Sequence, residues 1–335
     1  MKHPDSYFEG KIVRTVGASR NPVFCKSRPG GFDISVSVTF LGTGGSVPSK
    51  FRNLPSVLVR RGPELFLFDC GEGTQRQFLQ ARAGINRKMR ILISHLHGDH
   101  VFGIPGMLHS LSFMGRTREL EIIGPKGIVE LVTSVNRVVK LYNRFPIRIR
   151  EVKPGQTIVD AEYRLRVAEA RHGIPCLAYA FEEKPRSGRF DAAKARRLGV
   201  PEGPLWKTLQ SGGSVKVGRH RIYSKLVVGP ARRGIKLTYA VDTRPCAAVI
   251  RLASGSDLLI HDSCFAESAA TKAQEYGHST AAEAGTVAKR SKSRKLALFH
   301  ISAMYEDATP LLAEAKKVFR QTILPRDMET VSVVA

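Results

Sequence analysis

Arg90-Ile91-Leu92-Ile93-Ser94-His95-Leu96-His97-Gly98-Asp99-His100 is the stretch from which the rest of the chain can be read. Its first four residues have the apolar character of a short buried strand. Four metal-competent side chains then fall within the six residues from His95 to His100. Three imidazoles and a carboxylate at that density cannot all be solvated or all be core. Nitrogen and carboxylate oxygen together suit a borderline cation such as zinc.

Working outward, apolar or alternating runs predict strands at 34–40, 56–59, 64–68, 119–123, 146–150, 163–168, 177–181, 235–241, 257–260 and 295–299. Helical patterns fall at 74–83, 104–114, 126–141, 280–288 and 309–319. Strands alternating with helices imply an α/β architecture, with sheets covered by helices. Residues 183–218 differ in character. They hold a basic helix at 191–198, two Gly-Pro-type breaks and the only tryptophan, Trp206. Their apolar content reads as too thin for a core, so they are expected to protrude as an insertion. Residues 1–33 are polar and basic and form an N-terminal extension to which no role is assigned. The turn Leu41-Gly42-Thr43-Gly44-Gly45-Ser46 permits close backbone approach but lacks the Gly-Lys-Ser/Thr of a phosphate loop.

Polar residues stand where the apolar strands stop. Asp69, His95, Asp242, Asp262 and His300 each end or follow one, and ligands in α/β sheets gather at the carboxyl ends of strands. His172 lies on a loop just before another strand. Taken singly, His172, Asp242 or His300 would be a satisfied core or cap residue. Beside the cluster they complete two donor sets: His95, His97 and His172 for one metal, and Asp99, His100 and His300 for a second, with Asp242 bridging. Metals about 3.5–4 Å apart can clamp the attacking and leaving oxygens of a phosphodiester. Asp69 is expected to stand behind the ligands rather than among them. His278, ahead of the helix at 280–288, reads either as a neighbour of the helix cap or as a general acid with Asp262 as its carboxylate partner. His3, His109, His220 and His261 lack such a setting and read as surface or structural residues.

Composition bounds the substrate. The 335 residues carry 53 Lys and Arg against 29 Asp and Glu, a net charge of +24, which favours a polyanionic partner such as nucleic acid. No apolar run approaches the roughly 20 residues of a membrane span. The first residues lack the apolar core of a signal peptide, so a cytoplasmic location is expected. The five scattered cysteines form no CxxC pair, which speaks against a disulfide framework or a cysteine-rich zinc module.

Pro48-Ser49-Lys50-Phe51-Arg52-Asn53, His95-Leu96-His97-Gly98-Asp99-His100 and Gly277-His278-Ser279-Thr280, in this order along residues 36–334, resemble the motifs of the ribonuclease Z family in the metallo-β-lactamase superfamily. The resemblance implies a four-layer αβ/βα metallo-β-lactamase sandwich over 34–335 with a protruding flexible arm at 183–218. It implies an endoribonuclease holding two zinc ions per subunit, with manganese as the alternative, and removing the 3′ trailer of precursor tRNA. The products would be a 3′-hydroxyl on the tRNA and a 5′-phosphate on the trailer. Asp99, His278 and Asp262 would be catalytic, with Asp99 also able to relay a proton. Lys50, Arg52 and Asn53 would contact the RNA end, and Gly203 and Pro204 of the arm the tRNA elbow. The short family form is a homodimer, with no membrane association. This chain departs from the pattern in Asp262, where the family usually has glutamate, and in Met304, where it often has arginine. The alternatives are a phosphodiesterase of the same fold acting on small substrates, and a non-catalytic RNA-binding module.

Overall fold

The computed structural model describes residues 36–334, apart from 142 and 186. The extension assigned to residues 1–33 lies outside the described residues.

Two seven-stranded sheets pack face to face. The first runs Thr330–Val333, Val36–Gly42, Ser56–Arg61, Glu64–Phe68, Lys88–Leu92, Leu120–Gly124, Ile147–Glu151. The second runs Thr322–Ile323, Leu296–Phe299, Leu258–Asp262, Lys236–Ala240, Cys176–Glu183, Tyr163–Ala170, Thr157–Val159. Period-two alternation assigns the faces. Val57, Val59, Phe66 and Phe68 enter the layer between the sheets, where they meet Tyr179, Tyr239 and Phe299. Leu58, Leu65 and Leu67 point the other way, under helices Gly103–Phe113 and Ile128–Val138. On the far side, helices Ala281–Arg290 and Thr309–Val318 cover Leu259, Leu296 and Leu298. Where both faces are covered, as in Glu64–Phe68, Leu258–Asp262 and Leu296–Phe299, the strands are buried throughout, whereas Ile147–Glu151 and Tyr163–Ala170 alternate with exposed charges. The four layers are helix, sheet, sheet, helix. Each fully buried Phe or Leu contributes about 1.5–3 kcal/mol of burial free energy.

Strand direction positions the site. Glu64–Phe68, Lys88–Leu92 and Leu120–Gly124 are parallel in the first sheet, as are Lys236–Ala240, Leu258–Asp262 and Leu296–Phe299 in the second. Within each sheet these carboxyl ends therefore share one edge. A two-residue parallel pairing of Gly44–Gly45 with Ile301–Ser302 ties the sheets together there. A Cβ on Gly45 would come within 2.3 Å of the His300 ring, so only glycine fits.

The insertion differs from its sequence reading in two respects. Ala195, Val200, Leu209, Val215, Ile222 and Val227 form a small buried cluster of their own, with Trp206 packed against it. The apolar content is therefore sufficient for a local core. The boundary at 218 also falls inside a hairpin, because Ser214–Val217 pairs with His220–Tyr223. The base of the insertion is where Phe190 bridges Val228 and Gly229 N donates to Arg189 O at 2.9 Å.

Candidate active site

Asp69, Asp242 and His300 end three strands from the two sheets, and all three have left-handed backbone, with φ of 55°, 49° and 61°. Such conformations cost on the order of 1 kcal/mol or more each and gather where geometry serves function. Asp69 is fully buried and fully engaged. Its Oδ1 accepts from Ser94 N at 2.7 Å, and its Oδ2 lies 2.8 Å from Ser94 Oγ, 2.7 Å from Tyr239 OH and 2.7 Å from His100 Nδ1. Both oxygens are engaged by neighbouring donors, which sets this carboxylate behind the metal-competent side chains.

Those bonds fix tautomers. The Asp69 carboxylate takes the Nδ1 proton of His100, leaving Nε2 as the free lone pair. Ser94 gives its hydroxyl proton to Asp69, so its Oγ accepts from His95 Nδ1 at 3.0 Å, and again Nε2 is free. The Gly277 carbonyl, 3.1 Å from His172 Nδ1, does the same for His172. Burial first, and neighbouring imidazoles after it, hold His95 and His97 below the ordinary histidine range, in the neutral ligating form. At His100 burial opposes protonation, but Asp242 and Asp69 outweigh it and raise the pKa, a measure of how strongly this point calls for positive charge.

The free atoms converge in two groups. His97 Nδ1 lies 3.0 Å from His95 Nε2 and 3.3 Å from His172 Nε2. Asp242 Oδ2 is 3.5 Å from His95 Nε2 and 3.9 Å from His172 Nε2. In the second group His300 Nε2 lies 3.3 Å from His100 Nε2, 3.3 Å from Asp99 Oδ2 and 3.2 Å from Asp242 Oδ1. Lone pairs aimed at one another this closely repel unless a cation lies between them. Tetrahedral bonds of about 2.0–2.1 Å would set ligands about 3.3 Å apart, near the spacing found here. Asp242 Oδ1 is buried with no hydrogen-bond donor to satisfy it. The residues fit a pair of divalent cations, with one oxygen of Asp242 turned to each group.

His278 stands beside these groups, its ring stacked at 5.1 Å on that of His300. Its Nδ1 lies 2.8 Å from Asp262 Oδ2, and Asp262 is itself held by Thr243 N at 2.9 Å and Cys264 N at 3.0 Å. The shorter aspartate therefore does reach the ring. Burial would lower the His278 pKa, but the Asp262 charge and hydrogen bond outweigh it and raise it to about 9. Sequence reading missed the support behind this dyad. Arg244 donates to the His278 carbonyl at 2.6 Å and forms a two-pronged ion pair with Glu283. Glu283 also closes a capping box with Thr280, and the Thr280-Ala281-Ala282-Glu283 spacing was the available signal.

The residues expected to contact RNA are placed unevenly. Lys50 is exposed. Arg52 is spent inside the protein, donating to Thr43 Oγ1 at 2.6 Å and Pro325 O at 3.0 Å, and Asn53 N donates to Asp327 Oδ2 at 2.6 Å. Gly203 and Pro204 start the helix Pro204–Gln210 on the insertion, away from the metal-competent groups in sequence and in contacts. His261 is a buried strand residue, His109 stacks on Phe113, and His220 is exposed.

Residues 36–135 match a family model described as anti-Pycsar protein Apyc1, a span that includes the first donor cluster but not His172, Asp242, His278 or His300. A ribonuclease Z of Methanosarcina acetivorans is 44% identical over 293 residues, covering 87% of this chain and 96% of that protein. A ribonuclease Z of Methanothermobacter thermautotrophicus is 45% identical over 300 residues, covering 90% and 97%. Among solved structures, human tRNase Z, short form, superposes with a TM-score of 0.65 at 25% identity, over 89% of this chain and all of that one. The metallo-beta-lactamase fold protein YhfI of Bacillus subtilis gives 0.64 at 18% identity, over 90% of this chain and all of that one, a likeness of fold.

Proposed function

Because this chain belongs to the ribonuclease Z family, and is therefore an endoribonuclease of the metallo-β-lactamase fold, we propose that it removes the 3′ trailer of precursor tRNA, leaving a 3′-hydroxyl on the tRNA and a 5′-phosphate on the trailer. The observation that carries this reading is Asp242, whose two oxygens each turn to a separate histidine group. His95, His97 and His172 would hold one cation, and Asp99, His100 and His300 the other, with Asp242 shared between them. The donor chemistry favours zinc, with manganese as the alternative. When bound, the pair supplies positive charge to the scissile phosphate and makes a water acidic enough to attack it.

The chain's own residues do the rest. His278 carries a proton at the atom not taken by Asp262, and in this reading delivers it to the departing 3′-oxygen. Asp262 fixes the ring and favours its protonated form. Asp99, held by Ser46 N at 2.8 Å, can relay a proton while keeping its place in the second group. The backbone strain at Asp242 and His300 is the local cost of holding the two groups in register.

The charge and the insertion argue for a large RNA over a small phosphodiester. Between 184 and 228 there are eleven lysines and arginines against Asp191 and Glu202. Arg196 pairs with Glu202 at 2.7 Å and lies 5.4 Å from the Trp206 ring, so part of this charge braces the arm, and the excess of basic over acidic residues suits phosphates. We assign residues 183–218, extended to Val228 by the hairpin, to gripping the tRNA, within a homodimer in which one subunit's arm serves the other's site. The proposed location is the cytoplasm. Among the described residues no helix is long and apolar enough to cross a membrane.

Excision of 190–228, closing the chain between the hydrogen-bonded Arg189 and Gly229, tests the substrate. Losing even three phosphate contacts should weaken precursor tRNA binding by about tenfold or more and flatten its salt dependence. Hydrolysis of bis(p-nitrophenyl) phosphate should be retained. If both activities fall together, the arm is part of the fold of the site and not a grip on RNA.

A further inference from the structure

An open cavity of about 460 Å³ lies against His172 on the flank of the site, and its lining includes Arg171, Arg244, Tyr276, Gly277 and Glu283. Two of these side chains have no structural employment. Tyr276 is 54% exposed although it follows directly on helix Ala270–Glu275 and immediately precedes Gly277 and His278. Arg171 is exposed, its backbone is bridged to Arg244, and its guanidinium has no partner among the described residues. By contrast the Arg244 and Glu283 charges neutralise each other. The cavity thus offers one aromatic face and one free cation.

The segment bearing Tyr276 is tied firmly to the reacting centre. His172 Nδ1 is bonded to the Gly277 carbonyl, and Gly277, with φ of 73°, leaves room for a Cβ only 3.0 Å from that same nitrogen. Tyr276 N is anchored to Lys272 O at 3.0 Å and His278 N to Ala273 O at 2.8 Å. The backbone that bears the ring is therefore anchored two residues from the proton donor, not carried on a loose loop. An exposed aromatic ring on anchored backbone at the lip of a cavity against the site suits a nucleobase, since every base offers a π-face and stacking tolerates any sequence.

Resting on the reading of the site given above, we propose that Tyr276 and Arg171 form a subsite for the nucleotide whose 3′-oxygen departs, with Tyr276 stacking its base and Arg171 taking the phosphate on its 5′ side. The side of the cut follows from His278. The proton donor must stand next to the leaving oxygen, and the cavity opens on the segment that carries it. Gln274 and Glu275, also at the lip, add polar groups for the edge of the base.

Two RNAs test this in the full-length protein, one with an intact base at that nucleotide and one with an abasic sugar there. Tyr276→Ala should raise KM for the intact RNA on the order of 10- to 100-fold, the size of a lost stacking contact, with Tyr276→Phe close to the parent enzyme. The same Ala variant should leave KM for the abasic RNA and the rate on bis(p-nitrophenyl) phosphate unchanged. Arg171→Ala should lower the salt slope of binding by about one phosphate. Equal losses on both RNAs, no loss on the intact one, or failure of Phe to substitute would overturn the subsite. If the parent enzyme cuts neither RNA yet hydrolyses the small ester, it is the endonuclease reading that has failed.

Discussion

Asp242→Asn is expected to lower cleavage by about 10³–10⁵-fold and to strip metal from both donor groups at once. The substitution keeps the volume of the side chain, and asparagine tolerates the left-handed backbone, φ 49°, that this position requires. What it removes is the negative charge on two oxygens, one within 3.5 Å of His95 and the other within 3.4 Å of both His100 and His300. Without that charge the histidine nitrogens of each group face one another with nothing but imidazoles and Asp99 to hold a cation. His97→Ala makes the comparison, since His97 belongs to the first group only and should cost that group alone. Metal content measured on the purified proteins decides the matter. An Asp242→Asn protein that retains both equivalents would show that the two groups do not share this carboxylate.

His278→Ala should reduce single-turnover cleavage by about 10²–10⁴-fold while leaving precursor binding within about twofold, as expected for a group that acts only on the proton of the leaving oxygen. Its ring is placed by Asp262, and Asp262 in turn by two backbone amides, so the substitution removes the donor and the stacking on His300 but leaves the hydrogen bonds that orient His95, His100 and His172. Asp262→Asn should give a smaller loss, because the ring keeps a hydrogen-bond partner but loses the charge that raises its pKa. Equal losses in binding and cleavage would mean that His278 holds the RNA or the fold instead.

The sandwich and most of the site were legible because both depend on strand ends. A strand buried on two faces announces itself by an unbroken apolar run, and a charged residue stopping such a run, as at Asp69, Asp242 or His300, contradicts burial unless something compensates it. The helix Pro204–Gln210 and the strands Gly44–Gly45 and Ile301–Ser302 were missed for the opposite reason. They are too short to carry a period, and tertiary pairing makes them. Likewise the fate of Arg52 could not be read locally, because its partners Thr43 and Pro325 are supplied by distant parts of the chain. The apolar residues of the insertion looked sparse in sequence because they are spread over a helix pair and a hairpin that converge only in space. Arg244 was overlooked since its partner, Glu283, lies on a helix whose capping box was not recognised.

The measurement that bears most directly on the account is the chemistry of the cut. A precursor tRNA carrying a 3′ trailer, incubated with the metal-loaded protein, should be cleaved at one position to leave a 3′-hydroxyl on the tRNA and a 5′-phosphate on the trailer, with all cleavage lost to a chelator and restored by zinc or manganese. A cyclic or 3′-phosphate end on the tRNA, or cleavage indifferent to the chelator, would contradict it.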